Sequence, residues 1–196
     1  MDGSALPAAT TVDDPMTPVG ERLARSAERL FYARGIRAVG VDLIAADART
    51  TKKTLYDRFG SKDALVALYL RRRAATWQAR VLGALEAHPP GPRRALAVLD
   101  ELEEWLAEQG RGCAFVNAYA ELGGTDHPGL AVVREEKAWM RRLFTALCEE
   151  ADPASADRLG AQLHLLYEGA TVAITAGDEA DAVDLARDAA ARLLAR

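Results

Sequence analysis

VDLIAADARTTKKTLYDRFGSK, residues 41–62, is the stretch that decides how the chain folds. Val41, Ile44, Ala45 and Ala48 recur at i, i+3, i+4 and i+7, which puts them on one face of a short helix. Thr51 is a residue type that caps helix N-termini. Leu55 and Phe59, four apart, give a second short helix an apolar back. Ahead of those two, Lys52, Lys53 and Thr54 in the leading turn must point outward. Two short helices joined by a tight turn, the second with an apolar back and a basic, hydroxyl-rich tip, have the shape of a module that enters a DNA major groove.

Working outward, the preceding residues ERLARSAERLFYARG (21–35) form an amphipathic helix whose stripe of Leu23, Ala27, Leu30 and Phe31 closes a three-helix core. The helix stops at Gly35. In order and spacing, LF…G is followed by IAADA (44–48), TTKKTLYDRF (50–59) and GSKDAL (60–65). Over roughly residues 20–70 this set resembles the TetR family of one-component bacterial transcription regulators, whose pattern is IA..A, S..TLY..F and.SK..L. The resemblance implies an all-α protein with an N-terminal helix-turn-helix domain and a C-terminal helical domain that binds a ligand and dimerises. It also implies that Tyr56 and Lys62 hold phosphates.

The chain departs from that pattern in the turn, where the family has Gly then Val and this sequence has Arg49 and Thr50. The glycine serves a positive φ, which costs any other residue about 1 kcal/mol. Arg49 either takes another turn geometry or adds a phosphate contact that offsets the strain. Gly40 stands where the family often caps the first short helix with Ser or Thr, so a hydroxyl is lost there while the backbone N–H groups remain. The expected DNA-contacting set is Arg49, Thr50, Thr51, Lys52, Lys53, Thr54, Tyr56 and Lys62. Tyr56 and Lys62 set affinity and register, whereas Lys53 and the threonines serve sequence choice.

Charge follows the same division. Residues 18–73 hold 13 Lys plus Arg against 6 Asp plus Glu, a net of +7, and the remainder holds 12 against 23, a net of −11. A basic module on an acidic body is expected when one end alone meets a polyanion. Ala, Leu and Arg dominate and no segment alternates as strands do, which argues for an all-α fold. No run of 18 apolar residues exists, so no membrane partner is expected. MDGSALPAATTVDDPMTP lacks the basic and apolar regions of a secretory signal. Its composition predicts a disordered arm over residues 1–17. Cys113 and Cys148 then read as reduced thiols of a cytoplasmic protein.

Residues 18–63 are therefore expected to form the DNA-binding domain and 64–196 a helical ligand-binding and dimerisation domain, with about nine helices in all. A fourth helix capped by Ser61 runs past Trp77 to about Glu86, and Pro89, Pro90 and Pro92 break the chain. Gly91-Pro92 opens a fifth, RGCAFVNAYAEL contains a sixth, and Pro128 begins a seventh that reaches about Glu150. Asp152-Pro153 is expected to start the eighth, Gly177 to end it, and Asp178 to cap the ninth.

If the C-terminal body behaves as the family's does, it takes a partly apolar small-molecule inducer. Polar groups inserted among apolar residues are the usual lining of such pockets. The candidates are Trp77, Trp105, Phe115, Asn117, Tyr119, Trp139, Phe144, His164 and Tyr167, each equally readable as plain core. Helix eight is apolar on two sides and must bury both. Leu165, Gly169, Val172 and Ala173 on one of those sides, with Leu185 and Leu193 of helix nine, are the expected homodimer surface.

Enzyme readings fail on the residues themselves. The four serines lie in no GxSxG setting, no GxxxxGK[ST] occurs, and three scattered histidines make no metal site. The two cysteines lack a CxxC spacing, although Cys113 could serve as a redox-sensing thiol. No catalytic residue, metal or cofactor is expected. The combined expectation is a cytoplasmic repressor that binds a near-palindromic double-stranded operator as a dimer and is released by an inducer. A helical small-molecule binder with a silent DNA module, and a transcriptional activator, stay open as alternatives.

Overall fold

Thr17 opens the first helix by accepting a hydrogen bond from Gly20 N–H, and Pro18 occupies the first turn, where its missing N–H costs nothing. The computed structural model describes residues 5–12, 15–150 and 153–195, with the backbone alone at Pro92. Among these are nine helices and no strand: α1 Pro18–Arg34, α2 Val41–Asp47, α3 Lys52–Phe59, α4 Lys62–Glu86, α5 Pro92–Glu108, α6 Ala114–Leu122, α7 Gly129–Glu149, α8 Ala156–Ala176 and α9 Ala182–Leu194. No described helix is long and apolar enough to cross a membrane.

The chain divides into two compact units. The first comprises residues 10–76 and 114–136, so the helix-turn-helix shares its unit with α6 and the opening turns of α7. Leu23, Ala27, Leu30 and Phe31 of α1 are buried with Val41, Ile44 and Ala45 of α2 and Leu55 of α3. Phe59, expected in that core, is half-buried because α3 ends there and the chain turns at Gly60. Leu65, Val66, Leu68, Tyr69 and Leu70 of α4 complete the interior. Arg72 on α4 pairs with both Glu21 and Glu28 of α1, tying those helices together beyond their apolar contact.

The second unit holds residues 77–113 and 137–196 with the described part of Met1–Ala9. Its core runs through Trp77, Val81 and Leu85 of α4, Val98, Leu99 and Leu102 of α5, Met140, Leu143, Phe144 and Leu147 of α7, Leu163 and Tyr167 of α8, and Val183 and Ala186 of α9. Leu6 packs against this core, and Trp139 Nε1 donates to Ala8 O at 2.8 Å, so this part of the N-terminal arm is tied to the body. The proline break is closed by Glu150, which accepts from Arg94 Nη1 at 2.6 Å and from Gly91 N–H at 3.1 Å.

Two helix starts differ from expectation. The first helical hydrogen bond of α8 is Leu159 N–H to Ser155 O, so the helix begins after Pro153 and not at it; Asp152 lies outside the described residues. Asp178 has φ +57° and belongs to the close of α8, where Gly177 and Glu179 both donate to Ala173 O. The cap position of α9 falls to Asp181.

A Cβ built on Gly160 would lie 2.7 Å from both the backbone N and Cα of Thr145, so α7 and α8 approach as closely as they do through that missing side chain. Gly160→Ala is expected to cost about 1–3 kcal/mol by forcing the helices apart. Urea denaturation measures this, and an unchanged midpoint would mean that the helices separate freely.

Candidate nucleic-acid interface and effector body

The turn between α2 and α3 keeps the strained geometry. Arg49 has φ +52°. Its N–H donates to Ala46 O at 3.1 Å and Thr50 N–H donates to Ala45 O at 2.9 Å, the paired bonds of a helix stop that normally places glycine at the left-handed residue. Of the two ways Arg49 could fit, the chain therefore does not choose a different turn. Arg49→Gly is expected to raise stability by about 0.5–1 kcal/mol by relieving that strain. Should its guanidinium meet a phosphate, the same change lowers the salt dependence of DNA binding by about one counterion per site. Chemical denaturation beside a salt titration separates the two effects.

Thr51 caps α3, its hydroxyl accepting from Thr54 N–H at 3.1 Å and meeting the Thr54 hydroxyl at 2.9 Å. With Leu55 buried against the other helices, Thr51, Lys52, Lys53, Tyr56 and Arg58 are exposed and Thr54 is half-exposed. Tyr56 is thus not a core aromatic. Lys52 rests on Asp42 at 3.2 Å and Lys53 on Asp57 at 2.6 Å. Such exposed pairs contribute about 0–1 kcal/mol, so a polyanion can displace either carboxylate.

Lys62 sits differently from the exposed lysines. Its Nζ donates to Ile36 O at 2.6 Å and lies 5.9 Å from the centroid of the Phe31 ring. Burial pushes its pKa down, against the opposing charges of Asp63 and Glu121. The resemblance implies a phosphate contact for this ammonium; what the structure shows is that it braces the turn after α1. The same turn is held from α6, where Glu121 accepts from Ile36 N–H at 2.9 Å and Arg37 N–H at 2.7 Å. Nothing in the sequence points to Glu121, which lies more than eighty residues away on a short, mostly apolar helix. His127 caps α7, accepting from Gly129 N–H through Nδ1 at 2.9 Å while Nε2 faces Asp63 at 3.3 Å.

The candidate effector residues divide between the two units. Trp77, Trp105, Phe144, His164 and Tyr167 form one aromatic cluster in the body, with ring centroids 5.4 Å apart for Trp77 and Trp105, 5.9 Å for Phe144 and Tyr167, and 6.5 Å for Phe144 and His164. Trp77 Nε1 donates to Met140 Sδ at 3.3 Å. Trp139 lines a separate cavity of about 660 Å³ with Ala5, Ala8, Arg141, Arg142 and Thr145. Phe115, Asn117 and Tyr119 lie on α6 in the other unit. Phe115 is buried and Asn117 half-buried, but Tyr119 is 56 % exposed. The buried face of α6 is Ala114, Phe115, Ala118 and Leu122, which turns Tyr119 outward and takes it off the interior lining expected for it.

Residues 23–69, from within α1 to the opening turns of α4, match the family model for bacterial regulatory proteins of the tetR family. The fold agrees along nearly the whole chain. A TetR-family transcriptional regulator from Streptomyces coelicolor is 29% identical, with a TM-score of 0.84 over 91% of this chain and 89% of that one. The chain has the fold of TetR-family regulators, and its N-terminal module matches that family's model. A putative regulator of this kind from Streptomyces avermitilis is 28% identical, with a TM-score of 0.74 over 90% of this chain and 99% of that one. The reduced form of NemR from Escherichia coli shares the fold at 20% identity, with a TM-score of 0.75 over 89% and 96% of the two chains. A comparison with curated proteins gives no match. Both likenesses are to DNA-binding transcription regulators.

In this chain the outer faces of α8 and α9 are apolar and open. Leu165 is 70 %, Leu185 57 % and Val172 46 % exposed, and nothing lies within 4 Å of a Cβ built on Gly169. Ala173 and Leu193 are half-buried beside them, and Leu165, Leu166 and Leu193 line a shallow cavity of about 440 Å³.

Proposed function

We propose that the protein is a ligand-gated repressor that binds a near-palindromic operator as a homodimer and leaves it when a small, partly apolar inducer occupies the body. The observation that carries this reading is the α3 tip, where Thr51, Lys52, Lys53 and Tyr56 stand exposed on a helix whose opposite side is locked into a three-helix core. Side chains presented in that way reach base edges and phosphates without any rearrangement of the core. The open apolar face of α8 and α9 supports self-association, which sets two such tips one helical turn of DNA apart. The inducer then acts by binding the DNA-incompetent arrangement more tightly. A coupling of about 1–3 kcal/mol changes operator affinity by roughly 5- to 150-fold.

Fluorescence anisotropy with DNA from the region upstream of the gene, across a salt series, tests this directly. Tight binding is expected that weakens about 100-fold or more between low and physiological salt. Lys52→Ala/Lys53→Ala is expected to abolish it at physiological salt while leaving the circular dichroism unchanged. No salt-dependent binding to that DNA or to any genomic fragment, from a folded protein, would overturn the repressor reading.

A further inference from the structure

Cys113, Lys137, Glu168 and His164 meet in the body although no sequence spacing links them. Cys113 is half-exposed at the start of α6, Lys137 belongs to α7, and His164 and Glu168 lie one turn apart on α8. Lys137 Nζ donates to both Glu168 oxygens at 2.7 and 2.8 Å and toward Cys113 Sγ at 3.6 Å. His164 Nε2, a buried nitrogen, lies 3.4 Å from Glu168 Oε1 without a well-formed hydrogen bond. One ammonium thus serves a thiol and a carboxylate, while an imidazole nitrogen stands loosely against that same carboxylate. A set of this kind has a second arrangement ready, in which Lys137 turns to a new acceptor on sulfur and His164 takes up Glu168.

We propose that Cys113 is a hydroperoxide-sensing thiol, and that its oxidation to the sulfenic acid switches Lys137 from Glu168 to the oxygen newly bound to sulfur. The Cys113 sulfur attacks one peroxide oxygen; the S–O bond forms as the O–O bond breaks. Sulfur is oxidised by two electrons and the peroxide is reduced to water. The departing hydroxide takes a proton from Lys137 Nζ, which is replaced by the proton the thiol releases, so thiol and hydrogen peroxide give sulfenic acid and water. Lys137 is suited to the task because it remains an ammonium inside the body. Burial works against its charge, and Cys113 and Glu168 more than offset this, so its pKa lies above the ordinary lysine value. Glu168 is likewise held as the anion: burial raises its pKa, and His164 and Lys137 lower it by more.

Cys148 supplies the contrast. It is fully buried, and burial pushes its thiol up to about 11, which leaves it neutral and inert. Cys113 also has a route to the DNA-reading unit along the chain. The next residue starts α6, and α6 carries Glu121, whose carboxylate holds the turn at Ile36 and Arg37. The regulatory consequence rests on the proposed repressor function; the chemistry at Cys113 does not.

The test is dimedone trapping on the full-length protein after brief treatment with hydrogen peroxide, read by peptide mass spectrometry, beside operator binding before and after. Trapping is expected at Cys113 and not at Cys148, with a rate at least tenfold lower in Lys137→Met. Operator affinity is expected to fall tenfold or more, to return with dithiothreitol, and to stay unaffected by peroxide in Cys113→Ser. Unmodified Cys113, or trapping as fast in a folded Lys137→Met as in wild type, overturns the site. Trapping at Cys113 with operator binding unchanged overturns the switch alone. Absence of operator binding by the reduced protein is instead a failure of the repressor reading, and the trapping result still decides the chemistry.

Discussion

Leu165→Asp/Leu185→Asp is expected to yield a folded monomer that has lost operator binding. Both leucines point away from the body core, at 70 % and 57 % exposure, so neither replacement removes an interior contact. In a two-fold dimer each substitution acts twice, once from either protomer. Fully burying a leucine contributes about 1.5–3 kcal/mol, so four that are each somewhat more than half exposed account for about 4–8 kcal/mol of association free energy. Losing that weakens dimerisation by about 10³-fold or more, before the repulsion among four carboxylates is counted. A lone subunit reaches one half-site only, and operator affinity falls with it. Sedimentation equilibrium and circular dichroism together check the result, and a dimer that persists at micromolar concentration would place the interface elsewhere.

Glu121→Ala is the second large expected effect, at about 3 kcal/mol of stability, because it leaves two backbone N–H groups without their charged acceptor. The turn it holds is already demanding. Gly35 has φ +89°, and a Cβ there would lie 2.9 Å from Glu121 Oε1, so the carboxylate occupies the space that glycine leaves. Ile36 is buried, so its N–H has little access to water once the acceptor is gone. Lys62 holds the same turn through Ile36 O, which keeps the module folded and restricts the damage to the placement of α1 against α2. A lowered melting temperature with weakened operator binding is therefore expected, and Glu121→Gln, which keeps one acceptor oxygen, should fall between the two. Wild-type stability in Glu121→Ala would show that water replaces the carboxylate at no cost.

The all-α architecture and the exposed basic tip of α3 are legible in the sequence because both rest on local rules. Apolar residues at helical spacing define the stripes of α1, α2 and α3. Thr17 and Thr51 cap helices by bonds to residues three positions on, and glycines end α1, α3 and α8. The starts of α8 and α9 differ from expectation for a related reason. Asp152-Pro153 and Asp178 look like helix openers in isolation, but the close of α8 takes Asp178 into a left-handed turn.

The sequence by itself determined the helices, the basic charge on the N-terminal module and the presentation of Lys52, Lys53 and Tyr56, because each depends on residues within a few turns of one another. Only the tertiary structure decided that Arg49 keeps a glycine-like turn, that Lys62 and Glu121 grip the Gly35–Arg37 turn, that Tyr119 faces solvent, and that Lys137 joins Cys113 to Glu168. Those contacts join residues up to 85 positions apart. A side chain's type and local period say which way it leans, but its partner depends on which helix packs beside it, and that is settled by the mutual fit of the whole apolar interior.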